Sequence, residues 1–392
     1  MMLQNKVLIT DAGNKNALAC IRSLGEKGFI IGGSSTTSAF RNQGFYSKYC
    51  KYKHVLGEIK DRDSYAEKLL NIVKAGNYDV LIPVGLTSCL TVSKYKDEFL
   101  AHVNLVIADW DAMQIASNKD KTMDFADKLD IPIPETTVIK TESNISRINK
   151  FPVVIKSSDD AGTFVKYANN SSELTKNYKY LKTVSHTNII VQEYIKGFGC
   201  GFYGVYEKGE LKAHFMHKRL KEFPLTGGPS AMAESYFDDE LFRLGKKLMD
   251  GLKWNGPVMV EFKYDLKDNS YKLMEVNPKL WGSLDLTIAA GVDVPKMLVD
   301  IALGNEFGFT GYNYVKYKWL FPDMLLVLIS QFDIENLKEF FSFGSKTNID
   351  LRDIKPNLFE VVLSVRDGFN LLLHPQRKYP HGKIKGGGGN DF

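Results

Sequence analysis

Scarcity sets the first limits on this chain. Its four cysteines, Cys20, Cys50, Cys89 and Cys200, show no short paired spacing, so neither a zinc site nor a disulfide framework is expected and a reducing, cytoplasmic setting is. Long hydrophobic runs are missing. The apolar stretch 324–329 near the C-terminus is far too short to span a bilayer, and the opening MMLQNKVLITD lacks the apolar core of a signal peptide, so no membrane partner is expected. Excess charge of one sign is also slight. Against 51 Lys and Arg stand 46 Asp and Glu, a formal net charge of +5, too little over this length to expect nucleic acid without a concentrated basic stripe. An anionic small molecule fits this balance equally well. The turn Asp11-Ala12-Gly13-Asn14-Lys15-Asn16 lacks the spaced glycines of a dinucleotide fingerprint, which demotes a nicotinamide-dependent oxidoreductase.

What is present is an ample core supply. With 392 residues, 44% hydrophobic and 25% charged, the composition is that of a globular protein too long for one core, so two to four domains or subdomains are expected. Strand-like runs at 6–10, 29–32, 80–83 and 104–108 alternate with helix-like segments at 17–27 and 64–75, the pattern of a parallel α/β unit. A helical stretch over 109–129 ends at Ile131-Pro132-Ile133-Pro134. Strands at 151–156, 163–168 and 189–194 with a helix at 171–181 then make a small α+β lobe. Strands at 202–206 and 211–218, a helix at 239–251, a hairpin within 257–283 and a helix near Ile288 follow. Beyond about 305 the chain reads as helical and aromatic-rich, with Tyr312, Tyr314, Tyr317 and Trp319 expected in a core, and it closes on a GGGGNDF tail.

The hairpin PVMVEFKYDLKDNSYKLMEVNPKLWGS carries the most chemistry. If Asp268 centres its turn, Glu261 lies opposite Glu275. Opposed like charges weaken a sheet, and the neighbours Val258, Val260, Phe262, Leu273, Met274 and Val276 imply burial, where unpaired charge is costly. A cation between the two carboxylates resolves the conflict. Asn277, two residues beyond Glu275, shares its face. Two carboxylates and an amide oxygen suit a hard cation, Mg²⁺ or Mn²⁺ rather than zinc. The competing reading is a solvated hairpin with exposed acids.

The run Met274-Glu275-Val276-Asn277-Pro278 resembles the metal-binding end of ATP-grasp enzymes, whose pattern there is acidic-x-Asn-Pro-Arg. The resemblance extends over roughly residues 1–305. Through His217-Lys218-Arg219-Leu220, Thr226-Gly227-Gly228-Pro229-Ser230 and Trp281-Gly282-Ser283 it is nearest to carbamoyl-phosphate-synthase-like carboxylate–amine ligases of single-chain type. The implied fold is α/β: an N-terminal parallel pre-ATP-grasp domain (1–112), then a two-lobed α+β ATP-grasp domain (113–305). Its lid lobe spans about 135–197 and its metal-binding lobe about 198–305; a mostly helical C-terminal extension (306–392) follows. The implied reaction uses ATP and Mg²⁺ (or Mn²⁺) to turn a small-molecule carboxylate into an acylphosphate, which an amine or similar nucleophile captures. Amino acids are the default substrates, and a homodimer is implied by the resemblance alone.

The resemblance also assigns roles. Lys156, closing the strand FPVVIK, and Lys119, with Lys121 as its rival, would reach the nucleotide phosphates. Gln192, Glu193, Tyr194 and Ile195 would form the adenine hinge, and Glu261, Glu275 and Asn277 would hold the metal. Arg219 and Lys279 would stabilise charge on the transferring group, Lys279 replacing the usual Arg and losing its bidentate fork. His217, Gly227, Gly228, Ser230 and Trp281 would line the substrate site, although a lone His is more often structural and a charge run such as HKRLKE more often solvated. Two departures stand out. The lid loop 157–163 has one Gly and two acids, Asp159 and Asp160, and Gly199-Cys200-Gly201 offers no carboxylate to ribose. Competing functions are phosphorylation of bicarbonate or carbamate, which the single ATP-grasp copy disfavours, and nucleotide binding without catalysis.

Overall fold

The strands fall into three sheets, and the computed structural model describes residues 4–157, 165–185 and 188–384. The first sheet is parallel: β1 (Lys6–Ile9), β2 (Ile30–Ser35), β3 (Cys50–Val55) and β4 (Val80–Ile82), in the order β3-β2-β1-β4. Val7, Leu8 and Ile9 of β1 are all fully buried, as a parallel strand covered on both faces requires. Three details depart from the sequence reading. The edge strand β3 exposes Lys51, Tyr52, Lys53 and Val55 and buries only Cys50, so it carries no apolar run to announce it. The run 104–108 forms a single parallel bridge, Asn104 to Val80, instead of a strand. The helix expected over 109–129 is two helices, Trp110–Ala116 and Lys119–Asp127. Asn118 divides them because its side chain accepts the Lys121 backbone N–H and starts the second.

The second sheet, antiparallel, is β5 (Thr136–Ile139), β6 (Val153–Ser157), β7 (Val165–Ala168) and β8 (Ile189–Glu193), ordered β5-β8-β6-β7. The helix Ser171–Val184 lays Leu174, Tyr178 and Leu181, spaced by four and three, onto Val153, Ile155, Ile189 and Val191. This lobe therefore owns a small core. Most of the loop 157–163, with Asp159 and Asp160, lies outside the described residues, as does the GGGGNDF tail.

The third sheet holds β9 (Gly197–Glu207), β10 (Glu210–Glu222), β11 (Ser230–Ser235), β12 (Gly256–Asp265), β13 (Ser270–Asn277), β14 (Lys316–Lys318) and β15 (Lys346–Thr347), ordered β13-β12-β9-β10-β11-β14-β15. The segment after 306 is helical in large part, and it also adds two short strands to this sheet. On one sheet face Phe202, Tyr206, Val258, Val260, Phe262 and Leu273 pack with Leu241, Leu244 and Leu248 of the helix Asp239–Gly251. Gly245 permits that approach, since a Cβ there would come within 2.4 Å of the Phe202 ring. The opposite face buries Tyr203, Val205, Phe215 and Met259 with residues of the first sheet and carries its charges around Glu261 and Arg219.

Candidate active site

The hairpin β12–β13 pairs Glu261 with Glu275 and Met259 with Asn277. The register comes about differently from the simple count. Asp265 pairs with Ser270, so the turn is centred between Lys267 and Asp268; an undisturbed ladder would then set Glu261 against Met274. An irregularity between Glu261 and Phe262 absorbs Met274 and brings Glu275 opposite Glu261. The bulge thus re-aims a carboxylate into the cleft. Asn277 Nδ2 donates to Glu275 Oε1 at 2.9 Å.

Across β9 the same line of residues continues through Gly201 to His217. Two residues along it, Gly199 stands between Lys263 and the strand that carries Arg219. These glycines leave a trough. A Cβ at Gly199 would lie 3.0 Å from Arg219 Cδ and 3.2 Å from Glu222 Oε1, and one at Gly201 would lie 2.9 Å from the Tyr203 hydroxyl. Through that space Arg219 reaches over β9 to Glu261, with Nη2 to Oε2 at 2.6 Å, while Nη1 meets Glu222 Oε1 at 3.0 Å. Register shifts between Arg219 and Lys221, and between Lys221 and Glu222, put Glu222 beside Arg219 despite their odd spacing.

Lysines complete the cluster. Lys119 Nζ, from the first turn of its helix, lies 3.5 Å from Glu275 Oε2. Lys156, at the end of β6 and buried, has its pKa lowered to about 8 by burial and then by the charge of Lys119, against the pull of Glu275 and Glu261. Lys263 Nζ donates to the Ile195 carbonyl at 3.2 Å, and burial pushes its pKa down as well. Burial raises the Glu261 carboxyl and Glu275 adds to the rise, with Arg219 opposing. Burial would raise Glu275 too, but Lys119, the Asn277 amide, Lys156 and Arg219 together hold it low. Four cations face three carboxylates here, which suits a polyanionic ligand.

The segment 192–195 joins β8 to β9 and so links two sheets. Gln192 is buried, donates to Thr136 Oγ1 at 2.9 Å, and leaves its Oε1 without a partner. Glu193 accepts the Glu135 backbone N–H at 3.0 Å, Tyr194 stands edge-on to Tyr167, and Ile195 is buried. His217 is stacked on Tyr203 with ring centroids 4.7 Å apart; its Nε2 is bonded to the Tyr203 hydroxyl and lies 2.9 Å from Ser283 Oγ. Burial lowers His217 to about 3, so it stays neutral and is a poor base. Trp281 is buried against Tyr203 and donates to Thr287 Oγ1 at 3.0 Å. It backs the site from behind. Gly227 adopts φ +105°, the carbonyl of its neighbour Thr226 accepts from the Tyr167 hydroxyl of β7, and the Gly228 carbonyl accepts from Arg219 at 3.5 Å. Ser230 starts β11, paired with Glu222. Lys279 stands two residues past Asn277, and its backbone N–H donates to the Asn277 carbonyl at 2.8 Å.

The structure brings Lys119, Lys156, Arg219, Glu261, Glu275 and Asn277 together. Sequence reasoning gave no part in the site to Lys263, Glu222 or Tyr203, and it noted Gly199 and Gly201 only for the carboxylate they lack. Lys263 was readable, being two residues past Glu261 on one strand; Glu222 depends on bulges that no local pattern marks. Among the described residues no group of three or more His, Cys, Asp or Glu is arranged to hold a metal. The set of Glu261, Glu275 and Asn277 falls outside that description because its third donor is an amide. It nonetheless fits a hard divalent cation: the donors are all oxygen, and the two opposed carboxylates repel each other.

Comparison with known proteins agrees with this geometry at the level of fold. Biotin carboxylase from Campylobacter jejuni, solved with β-γ-ATP, superposes with a TM-score of 0.64 at 16% identity, covering 79% of this chain and 73% of that one. The chain has the ATP-grasp fold. Residues 185–316, which include β9 to β13, match a family described as ATP-grasp in the biosynthetic pathway with Ter operon. A carbamoyl-phosphate synthase from Methanobrevibacter smithii is 24% identical over 248 residues, 58% of this chain and 65% of that protein, just under two thirds of its length. A D-aspartate ligase from Enterococcus faecium is 20% identical over 292 residues, 67% of this chain and 68% of that protein. These likenesses agree with one another on an ATP-grasp fold, and the family match is confined to residues 185–316.

Proposed function

We propose that this chain is an ATP- and Mg²⁺-dependent, ADP-forming ligase that activates a carboxylate as an acylphosphate and joins it to an amine. The observation that carries this reading is the face-to-face pair Glu261 and Glu275, with Asn277 beside them and Lys119, Lys156, Arg219 and Lys263 around them. Phosphoryl transfer asks a protein mainly for positioning and electrostatic stabilisation. When bound by Glu261, Glu275 and the Asn277 oxygen, Mg²⁺ supplies neutralisation of the phosphate oxygens. Lys119 and Lys156 hold the polyphosphate from the body and lid sides, and 192–195 receives the adenine. Arg219, fixed by Glu261 and Glu222, stabilises the charge that develops on the transferring group, and Lys279 extends this positive field toward the N-terminal unit.

In the first step a carboxylate oxygen of the substrate forms a bond to the γ-phosphorus as the bond to the β,γ-bridging oxygen breaks, and ADP leaves. In the second, the amine nitrogen attacks the acyl carbon, inorganic phosphate departs, and the nitrogen gives up a proton. Amino acids are the proposed substrate class, supported by the D-aspartate ligase relative. A second reading, phosphorylation of bicarbonate, draws on the carbamoyl-phosphate synthase relative. The test is ADP release from Mg²⁺-ATP by the purified chain against pooled amino acids and small carboxylates, with bicarbonate as a separate arm and Glu275→Ala as control. Pool-dependent ADP lost in Glu275→Ala supports ligation, and bicarbonate dependence alone supports the second reading. Absence of nucleotide binding would sink both.

A further inference from the structure

The long C-terminal helix, Ile354–Leu373, is built inside out. The side it turns to the body is mostly polar or small: Asn357, Glu360, Ser364 and Gly368 are buried, with Pro356 and Leu371 the apolar exceptions. That side is held by hydrogen bonds. Arg22 Nη2 donates to Asn357 Oδ1 at 3.1 Å, Asn357 Nδ2 to the Asn348 carbonyl at 2.9 Å, and Asn348 Nδ2 to Glu360 Oε2 at 3.0 Å, while Ser364 Oγ is satisfied within the helix by the Glu360 carbonyl at 2.6 Å. A Cβ at Gly368 would press to 2.8 Å from Ile329 Cδ1, so the helix sits close. The outward side is largely apolar: Ile354, Leu358, Val362, Val365, Phe369 and Leu373 are 39%, 58%, 68%, 64%, 63% and 59% exposed, Leu372 is exposed beside them, and Lys355 and Arg366 are the charges at its border. An ordinary surface helix has the reverse polarity. Together the six present on the order of 600 Å² of apolar surface, at the upper end of the roughly 300–600 Å² of the largest patch on a typical monomer. A standard interface buries about 800 Å² on each partner, so this stripe would supply most of one.

The spacing of this stripe identifies what covers it. Its residues follow one another at intervals of four, four, three, four and four, which read the same in both directions about a point between Leu363 and Ser364. Size is also balanced about that point, with small valines at the centre and larger Ile, Leu and Phe toward both ends. A twofold axis at that point lays the helix antiparallel on its own copy. Val362 then meets the partner's Val365, Leu358 meets the partner's Phe369, and Ile354 meets the partner's Leu373. A surface that is self-complementary under a twofold axis is what an isologous dimer needs. We propose that a second copy of this chain docks on the Ile354–Leu373 helix to form a symmetric dimer. The catalytic cleft is not part of this interface, so the proposal stands apart from the ligase reading.

Sedimentation of the full chain at micromolar concentration tests it, with a species at twice the 44.2 kDa chain mass expected. Val362→Asp combined with Val365→Asp should give the monomer with an unchanged circular dichroism spectrum, because both side chains are exposed in the single chain. As an independent measurement, Val362→Cys combined with Val365→Cys should form an interchain disulfide under mild oxidation. Background is low because Cys20, Cys50, Cys89 and Cys200 are all buried. A monomeric parent chain, a dimer that persists with both aspartates, or no interchain disulfide would overturn the proposal. So would a monomer that binds phosphatidylserine-containing vesicles through this helix, which would make a membrane surface the occupant.

Discussion

The two faces of the hairpin β12–β13 do opposite work with alternate residues of the same strands. On one face Val258, Val260, Phe262 and Leu273 are fully buried and Val276 nearly so, packed with the helix Asp239–Gly251. On the other, Glu261, Lys263, Glu275 and Asn277 share a face where charges are only partly screened from water. Burial of apolar surface stabilises the first face in proportion to area. The second holds like charges in opposition, an arrangement that costs stability on its own and gains its logic from a cation and a polyanion brought from outside. Stability and proposed chemistry are therefore separable along one ribbon.

The largest expected effect strikes the charged face alone. Glu275→Gln keeps the shape and removes the charge, and ADP formation should fall about 10³-fold. Its unfolding midpoint should change less than that of a substitution on the packed face. Next comes Leu273→Ala, which opens a cavity where the side chain is fully buried and should cost about 3 kcal/mol in denaturant unfolding. Turnover per folded molecule should stay within about twofold, since the residue never faces the cleft. If Leu273→Ala silenced turnover in folded protein, the two faces would not be independent.

Gly199→Val should sharpen the contrast from the neighbouring strand. Its side chain would enter the space that Arg219 Cδ and Glu222 Oε1 occupy, and displacing Arg219 by an ångström should lower kcat about 10²-fold. A variant with normal kcat would show that the trough is not needed for the guanidinium. The smallest effect concerns Lys156. Burial leaves its folded pKa at about 8, below the ordinary 10.5, so above pH 8 the free protein loses the charge that phosphate needs. ATP affinity measured by calorimetry should fall up to about tenfold per pH unit there, or about 1.4 kcal/mol, and Lys156→Arg should abolish that dependence. The stability consequence has the opposite sign. Between about pH 8 and 10.5 the unfolded chain binds more protons at this site than the folded chain, so the Lys156 contribution to stability improves as pH rises.

Much of this architecture is legible in single segments. The apolar strand runs of β1, β4, β6 and β8, the helix Asp239–Gly251 and the alternating pattern of β12 mark themselves, because each buries a face with the period of its own geometry. The edge strand β3 does not, because an edge that shows lysines to water needs no apolar alternation. The opposition of Glu261 and Glu275 is expected from the sequence on a turn centred at Asp268, while the structure reaches it through a displaced turn and a bulge. Local periodicity carries no information about such a compensation.

The sequence by itself determined the order of the units, the strand carrying Lys156, and the hairpin with its two glutamates and asparagine, since each follows from residues within about twenty positions of one another. Tertiary structure alone decided that Lys119 meets Glu275, that Arg219 crosses a glycine trough to Glu261, and that Glu222 joins them. It likewise decided that the C-terminal helix turns its polar side inward. Those facts depend on which strand lies beside which and on where the register slips. Pairing between distant segments is settled by the packing of the whole chain, not by the propensity of any part of it.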